Sequence, residues 1–112
     1  MKKLLITLLL LSQVSVAQVS EQSLEKYLDN RDIVLQILGV ADHYIERCGG
    51  LTEVGEMYYR RSLEKHDLTS ANLVVERLYL AGYKMVSQYP TCHTLVGDFK
   101  SLGIAHLFKV QV

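Results

Sequence analysis

Two cysteines constrain the fold of this 112-residue chain more than any other feature. Cys48 closes an apolar helical pattern and is followed by Gly49 and Gly50, residues that suit the end of a helix. Cys92 opens another apolar helical pattern just after the single proline, Pro90, which cannot continue a helix. An oxidising compartment would favour a disulfide between the two cysteines. We therefore predict one bridge that pins the end of one helix to the start of another.

The N-terminus has the pattern of a secretory signal peptide. Lys2 and Lys3 precede a short, mainly apolar run at residues 4–11. Ser15 and Ala17 then supply the small-x-small ending that signal peptidase recognises. The apolar run is too short to span a bilayer comfortably, and a retained N-terminal anchor is the alternative. The short lysine-and-leucine form is typical of bacterial signals, which predicts the periplasm of a Gram-negative cell.

Cleavage before Gln18 would remove residues 1–17 as the signal peptide and leave residues 18–112 as a single helical domain. Loss of the two lysines leaves ten Lys and Arg side chains against 12 Asp and Glu side chains, a net charge of −2. This sign argues against nucleic acid and anionic membranes as partners, since both attract positive surfaces. No second long apolar segment follows, so we expect no membrane association after the signal is removed.

Apolar side chains recur at helical spacing along the chain, and no stretch alternates as a strand would. The strongest stripe runs from Ile33 to Cys48, and Gly39 within it suggests a close helix–helix contact. A later stripe places Val74 and Val75 on its apolar side. The pattern predicts an all-α fold, a compact bundle of about five helices with one disulfide. The expected helices cover residues 21–29, 31–48, 53–65, 71–89 and 92–109.

Metal binding and catalysis at the cysteines, and acid–base catalysis at the acidic residues, each have a simpler structural alternative. The only plausible set of zinc ligands is His43, Cys48, Cys92 and His93, and neither neighbouring pair has ligand spacing. Cys92 beside His93 at a helix start could form a nucleophilic dyad, because a helix N-terminus lowers a thiol pKa. A disulfide is the simpler fate for that cysteine. Acidic pairs at helical spacing fit a solvated face better than acid–base catalysis. We expect no catalytic site, metal or cofactor.

The densest aromatic and arginine cluster runs from Tyr58 to Arg61, and a polar stretch at residues 64–70 follows it. Tyr and Arg are enriched at the energetic centres of protein interfaces. The alternative is that Tyr58 packs inward while its neighbours form a solvated face with local ion pairs. We predict a partner-binding site at Tyr59, Arg60, Arg61, Glu64, Lys65, His66, Asp67 and Ser70.

The export signal, the helical domain of this size and a bridge between separated helices, carried by Cys48 and Cys92, form a recognisable outline. The chain resembles the small periplasmic immunity proteins of type VI secretion systems, in particular the Rap/Tai4 group. The resemblance implies a protein without enzymatic activity that binds and blocks a peptidoglycan amidase effector. It also implies that a loop between helices enters the toxin's cleft, by position the loop at residues 64–70. Because members of that group often dimerise, a homodimer is a further expectation.

Two functions of other classes remain open. One is an envelope or secretion accessory factor, a pilotin-like or chaperone-like helical protein that binds a resident component or unfolded clients. The other is a small periplasmic enzyme that acts through Cys92 and His93. A disulfide at Cys92 would argue against the second function, because the bonded sulfur has no thiolate to offer.

Overall fold

The computed structural model describes residues 27–110, which form an all-α bundle. Residues 27–29 are helical, and five α-helices follow in this part of the chain. They are Arg31–Cys48 (α1), Glu53–Lys65 (α2), Ser70–Leu73 (α3), Arg77–Ser87 (α4) and Cys92–Leu102 (α5), and a 3₁₀ turn follows at Ala105–Leu107. The predicted all-α class is confirmed. No helix within residues 27–110 is long and apolar enough to cross a lipid bilayer.

Three predictions at the N-terminus lie outside the described residues. These are the signal peptide at 1–17, its cleavage before Gln18, and most of the helix expected at 21–29. The end of that helix is described, and Leu28 belongs to the apolar core. The same core extends to Phe108, so the described residues pack around one interior.

Helix α1 is the central element of the bundle. The Asn30 side chain accepts hydrogen bonds from the backbone N–H groups of Asp32 at 3.0 Å and Ile33 at 3.3 Å. These bonds satisfy two donors that a helix start otherwise leaves free. The helix ends at Cys48, and Gly49 follows with a φ of 133°, which a residue with a side chain rarely adopts. The predicted bounds of α1 are confirmed.

Helices α1 and α4 run in the same direction. At one end the Arg31 guanidinium lies 2.8 Å from the Glu76 carboxylate, just before α4. At the other end the Arg47 guanidinium donates to the Val86 carbonyl at 2.6 Å. The order of these contacts along both helices makes the pair parallel. We call the Arg31 end, away from the disulfide, the distal end.

A pair of glycines brings α1 and α4 into close contact. A Cβ atom at Gly39 would lie 2.0 Å from the Tyr79 carbonyl oxygen, and one at Gly82 would lie 2.1 Å from the Gln36 carbonyl oxygen. Both distances are far below van der Waals contact, so neither helix tolerates a side chain at this crossing. The expected close helix–helix contact at Gly39 is confirmed.

The predicted disulfide joins Cys48 and Cys92, with an S–S distance of 2.01 Å and a Cα–Cα distance of 5.7 Å. It connects the last residue of α1 to the first residue of α5. Arg47 reinforces the same junction, because its guanidinium donates to the carbonyls of Tyr89 at 2.7 Å and Pro90 at 3.2 Å. The turn between α4 and α5 is therefore fixed to α1 by one covalent bond and by hydrogen bonds.

The fifth helix is shorter than predicted. We expected it to reach Lys109, but α5 ends at Leu102 because Gly103 adopts the left-handed conformation, with a φ of 78°. The chain then turns back toward the start of α2. There the backbone N–H of Thr52 donates to the Leu107 carbonyl at 3.0 Å. The last described residues therefore pair with another part of the bundle instead of extending α5.

This C-terminal segment completes the core. The Phe108 ring stacks on Phe99 at 4.2 Å between centroids and packs against Tyr44 at 4.8 Å. Gly55 in α2 permits the approach, because a Cβ atom there would lie 2.0 Å from the Leu107 carbonyl oxygen. The glycine that weakens the start of α2 thus makes room for the 3₁₀ turn.

The predicted fourth helix, 71–89, is wrong as a single element. It is divided into α3 and α4, and residues 74–76 lie between them. Leu73 and Gly82 are both buried, yet they are nine residues apart. At about 100° per residue, a continuous helix would place them on opposite faces. The break lets both positions face the interior, and it leaves Val74 and Val75 exposed instead of buried.

Burial of His106 predicts loss of stability in mild acid. The Nε2 atom of His106 is buried without a hydrogen-bond partner, and burial lowers the pKa of the imidazole. A histidine whose pKa is lower in the folded state contributes full stability above about pH 6.5, its unfolded pKa. That contribution is lost as the pH falls below this value, because the unfolded chain then binds more protons. We expect the midpoint of urea unfolding to fall between pH 7 and pH 5.

The variant His106→Gln should show a smaller fall over the same pH range. His93→Gln is the matched control, because it removes an exposed imidazole. Equal pH slopes for the wild-type protein and His106→Gln would contradict the assignment.

Candidate functional site

The predicted partner-binding residues divide between two surfaces of the bundle. Tyr59 and Arg60 line a groove between α1 and α2. Arg61, Glu64 and Lys65 line a separate depression beside Leu28. His66 and Asp67 lie in the connection between α2 and α3, and Ser70 is the first residue of α3. The structure therefore does not bring the eight residues together into one patch.

The groove has an apolar base and a charged rim. It measures about 480 Å³ and is lined by Ile45, Leu51, Glu56, Tyr59 and Arg60. Ile45 is 44% exposed, whereas Leu51 belongs to the core. Such a groove can bury an apolar or aromatic side chain of a partner, while the opposite charges on its rim bind polar groups around it.

Tyr59 is held in place from within the protein. Its hydroxyl donates to Asp42 Oδ1 at 2.7 Å, and the hydroxyl of Tyr79 donates to the other oxygen of the same carboxylate. Burial, and then the hydrogen bond to Asp42 and its charge, raise the pKa of Tyr59 above its usual value. The same causes raise the pKa of Tyr79. The hydroxyl of Tyr59 is therefore engaged internally, and its ring forms one wall of the groove.

The connection at residues 64–70 is fixed against the start of the described chain. His66 Nε2 lies 2.6 Å from the Leu28 carbonyl, so this nitrogen carries the proton and donates. Lys65 forms an ion pair with Asp29, and Leu68 is buried. These contacts place the predicted loop at the distal end. They hold it against the rest of the bundle on both sides of Asp67.

Another turn at the distal end was missed by the sequence analysis. Val74 and Val75 are 57% and 76% exposed, although their spacing predicted a buried stripe. The hydroxyl of Thr69 and the side chain of Asn72 cap α3 reciprocally, which starts a short helix just before them. The capping pair marks where a helix begins and not where it ends, and residues 74–76 contain no glycine or proline, so no local signal predicts the break.

Three of the four candidate metal ligands, His43, Cys48 and Cys92, have other partners in this structure. The His43 ring stacks on Tyr83 at 4.4 Å, and its Nδ1 lies 2.5 Å from the Tyr83 carbonyl oxygen. Cys48 and Cys92 are bonded to each other, so neither sulfur is a thiolate in this oxidised form. Within residues 27–110, no three side chains of metal-binding type converge.

A second concave surface lies between α1, α4 and the end of α5. It measures about 410 Å³ and most of its lining is apolar, with Ile37, Val40, Met85, Leu102 and Ile104 among the contributing residues. Leu102 lines this cleft, and 56% of its surface is exposed to solvent. The cleft could accept an apolar segment of chain, in contrast to the charged rim of the groove.

Comparisons with known proteins assign neither a family nor a function to this chain. Neither a scan against protein-family models nor searches of the curated proteins and of the solved structures found a match to this chain. The surfaces described above therefore carry the functional argument.

Proposed function

We propose that this chain is a periplasmic immunity protein, which binds and blocks a peptidoglycan amidase effector of a type VI secretion system. The observation that carries the proposal is the groove at Tyr59 and Arg60 on a bundle braced by the Cys48–Cys92 disulfide. The predicted export signal places such a protein in the compartment where a cell-wall hydrolase acts. The resemblance to the Rap/Tai4 group supplies the partner class.

The mechanism is steric and needs no chemistry from this chain. A rigid surface loses little conformational entropy on binding, so more of the contact energy appears as affinity. The rigidity comes from the disulfide, the glycine crossing of α1 and α4, and the internal hydrogen bonds of Tyr59. An inhibitor of this kind occludes the catalytic cleft and excludes the peptidoglycan substrate. A homodimer, as the resemblance implies, would present two such surfaces.

Protection from lysis tests this function. The mature domain should prevent lysis when it is co-expressed with a panel of periplasm-directed amidase effectors. Native mass spectrometry should show a complex with the effector that it neutralises. Failure to protect against any effector, together with absence of a complex, would reject the proposal.

Substitutions in the groove test which surface is used. Ile45→Asp with Arg60→Ala should weaken binding to the neutralised effector by about 30-fold, because interface anchors of this kind contribute about 2 kcal/mol. Lys84→Ala, at an exposed position of α4 outside the groove, is the matched control. Titration calorimetry measures both variants, and circular dichroism checks that they are folded. Unchanged affinity in the groove variant would remove the groove from the interface.

The apolar cleft at Leu102 favours a second candidate, the envelope or secretion accessory factor. A chaperone-like protein of that class would bind extended apolar segments of unfolded clients there. The two candidate functions predict different experimental results. An immunity protein protects against a folded hydrolase, whereas an accessory factor reduces the aggregation of an unfolded outer-membrane protein and gives no protection.

A further inference from the structure

We propose that Cys92 is the exchange cysteine of the bridge, the residue on which a mixed disulfide forms whenever the bond is made or opened in the folded chain. Cys48 is then the resolving cysteine, which attacks that mixed disulfide and closes the bridge. The reacting partner is a thiol or disulfide of the glutathione type. Cys92 is thereby a site of covalent modification that the proposed function does not use.

The exchange proceeds in two displacements. In the reduced chain, the Cys92 thiolate attacks one sulfur of oxidised glutathione, which forms the mixed disulfide and releases one glutathione thiolate. The Cys48 thiolate then attacks Cys92 Sγ and releases the second glutathione. The two cysteine protons end on the two glutathione molecules, so one disulfide is reduced as one is formed. A reducing thiol runs the same two steps in reverse.

The two cysteines differ in the space around them. Cys48 is 1% exposed and belongs to the apolar core, whereas Cys92 is only partly buried and packs against that core. A mixed disulfide adds a second molecule to the sulfur that carries it. A close-packed interior has no room for such a group at Cys48, whereas at Cys92 the group can extend into solvent. Only the intermediate on Cys92 is therefore compatible with the folded bundle.

Helix positions also distinguish the two thiols of the reduced chain. Cys92 is the first residue of α5, where the positive end of the helix stabilises a thiolate, and Cys48 is the last residue of α1, where the negative end opposes one. The one acidic residue of α5, Asp98, lies beyond its first turn. The Arg47 guanidinium bonds to the carbonyl of Tyr89, three residues before Cys92. Cys92 is therefore expected to have the larger thiolate fraction and to react first.

Cys48 remains close enough to resolve the mixed disulfide. Arg47, its neighbour, donates to the Val86 carbonyl at 2.6 Å and to the Tyr89 carbonyl at 2.7 Å. Neither hydrogen bond involves a sulfur, so both can persist when the bridge is open. They hold the turn before Cys92 against the end of α1. A thiol fixed in this way attacks at a high effective concentration, so the bridge should close again rapidly.

Single-cysteine variants test the assignment. The probe is oxidised glutathione, added to Cys48→Ala, which keeps Cys92, and to Cys92→Ala, which keeps Cys48. Cys48→Ala should form the mixed disulfide about 100-fold faster, because a buried thiol reacts only after local opening of the fold. Intact-protein mass spectrometry follows the adduct, and circular dichroism checks that both variants are folded. Equal rates in two folded variants would overturn the proposal.

Trapping on the wild-type chain needs no substitution, and it decides the question if either variant is unfolded. Excess reduced glutathione is added to the oxidised protein, the reaction is quenched with acid, and the free thiol is alkylated in denaturant. Trypsin separates the two cysteines, since basic residues lie between them. Peptide mass spectrometry should find glutathione on Cys92 and the alkyl group on Cys48 in nearly all trapped molecules.

The same reaction in concentrated urea is the matched control. Unfolding exposes both sulfurs, so glutathione should then divide between the two cysteines. Glutathione mainly on Cys48 of the folded chain would overturn the proposal, and so would the same division in the folded and unfolded chains. Absence of an adduct from both the folded wild-type chain and Cys48→Ala would reject it as well, because Cys92 would then be protected like Cys48.

Discussion

Replacing Cys48 and Cys92 together by alanine is expected to lower the free energy of unfolding by about 4 kcal/mol. The bond closes a loop with a sequence separation of 44, and without it the unfolded chain regains the corresponding conformational freedom. For a domain of this size, the loss corresponds to a fall in the thermal midpoint of roughly 15 to 30 °C. Hydrogen bonds from Arg47 to the end of α4 remain, so the variant should keep its helical content at low temperature.

Reduction supplies the control for this prediction. The wild-type protein in excess dithiothreitol should unfold at about the midpoint of the double-alanine variant, which should itself be insensitive to the reductant. Thermal denaturation followed by circular dichroism measures both. A midpoint that changes by only a few degrees would show that the bridge contributes little beyond the contacts already present at that junction.

A single methyl group at Gly39 is expected to destabilise the protein by about 3 kcal/mol, in the range of overpacked cores. The Cβ atom of Gly39→Ala would lie 2.0 Å from the Tyr79 carbonyl oxygen and 2.8 Å from the Tyr83 backbone nitrogen. Both are main-chain atoms of α4, so relief requires movement of the whole helix. Separation of α1 and α4 would also strain the contacts of Arg31 and Arg47 at the two ends of the pair.

Gly97→Ala is the matched control and should have the opposite sign. Gly97 is exposed in α5, and a Cβ atom there would meet nothing within 4 Å. Alanine is a better helix former than glycine by up to about 1 kcal/mol, so this variant should be slightly more stable than the wild type. Urea denaturation gives both values. If both variants gain stability, the close crossing at Gly39 is absent.

The residues that begin and end individual helices can be identified from the sequence. Asn30, Thr52 and Thr91 precede helices that begin where predicted, because each side chain accepts hydrogen bonds from a free backbone N–H. Gly49 ends α1 and Pro90 separates α4 from α5 for equally local reasons. The all-α class and the start of three helices could therefore be predicted from neighbouring residues.

The candidate site was only partly predictable. Tyr59 and Arg60 were identified by residue type, and both line the groove, but Ile45 and Leu51 join them there from other parts of the chain. No spacing in the sequence brings residue 45 beside residue 59. The turn at Val74 was hidden for a related reason, because apolar periodicity predicts burial and cannot show that a helix breaks.

The pairing of Cys48 with Cys92 was predicted from the sequence alone, since a chain with two cysteines allows only one internal bridge. The tertiary structure decided what surrounds that bond. The bond joins α1 to α5, and Arg47 fixes the end of α4 at the same junction. Gly39 and Gly82 bring the parallel helices α1 and α4 into contact. The tertiary structure also decided that α3 and α4 are separate helices, because Leu73 and Gly82 can both be buried only if the chain changes direction between them. Local patterns specify where helices start and stop, whereas their mutual packing specifies which apolar side chains are left outside.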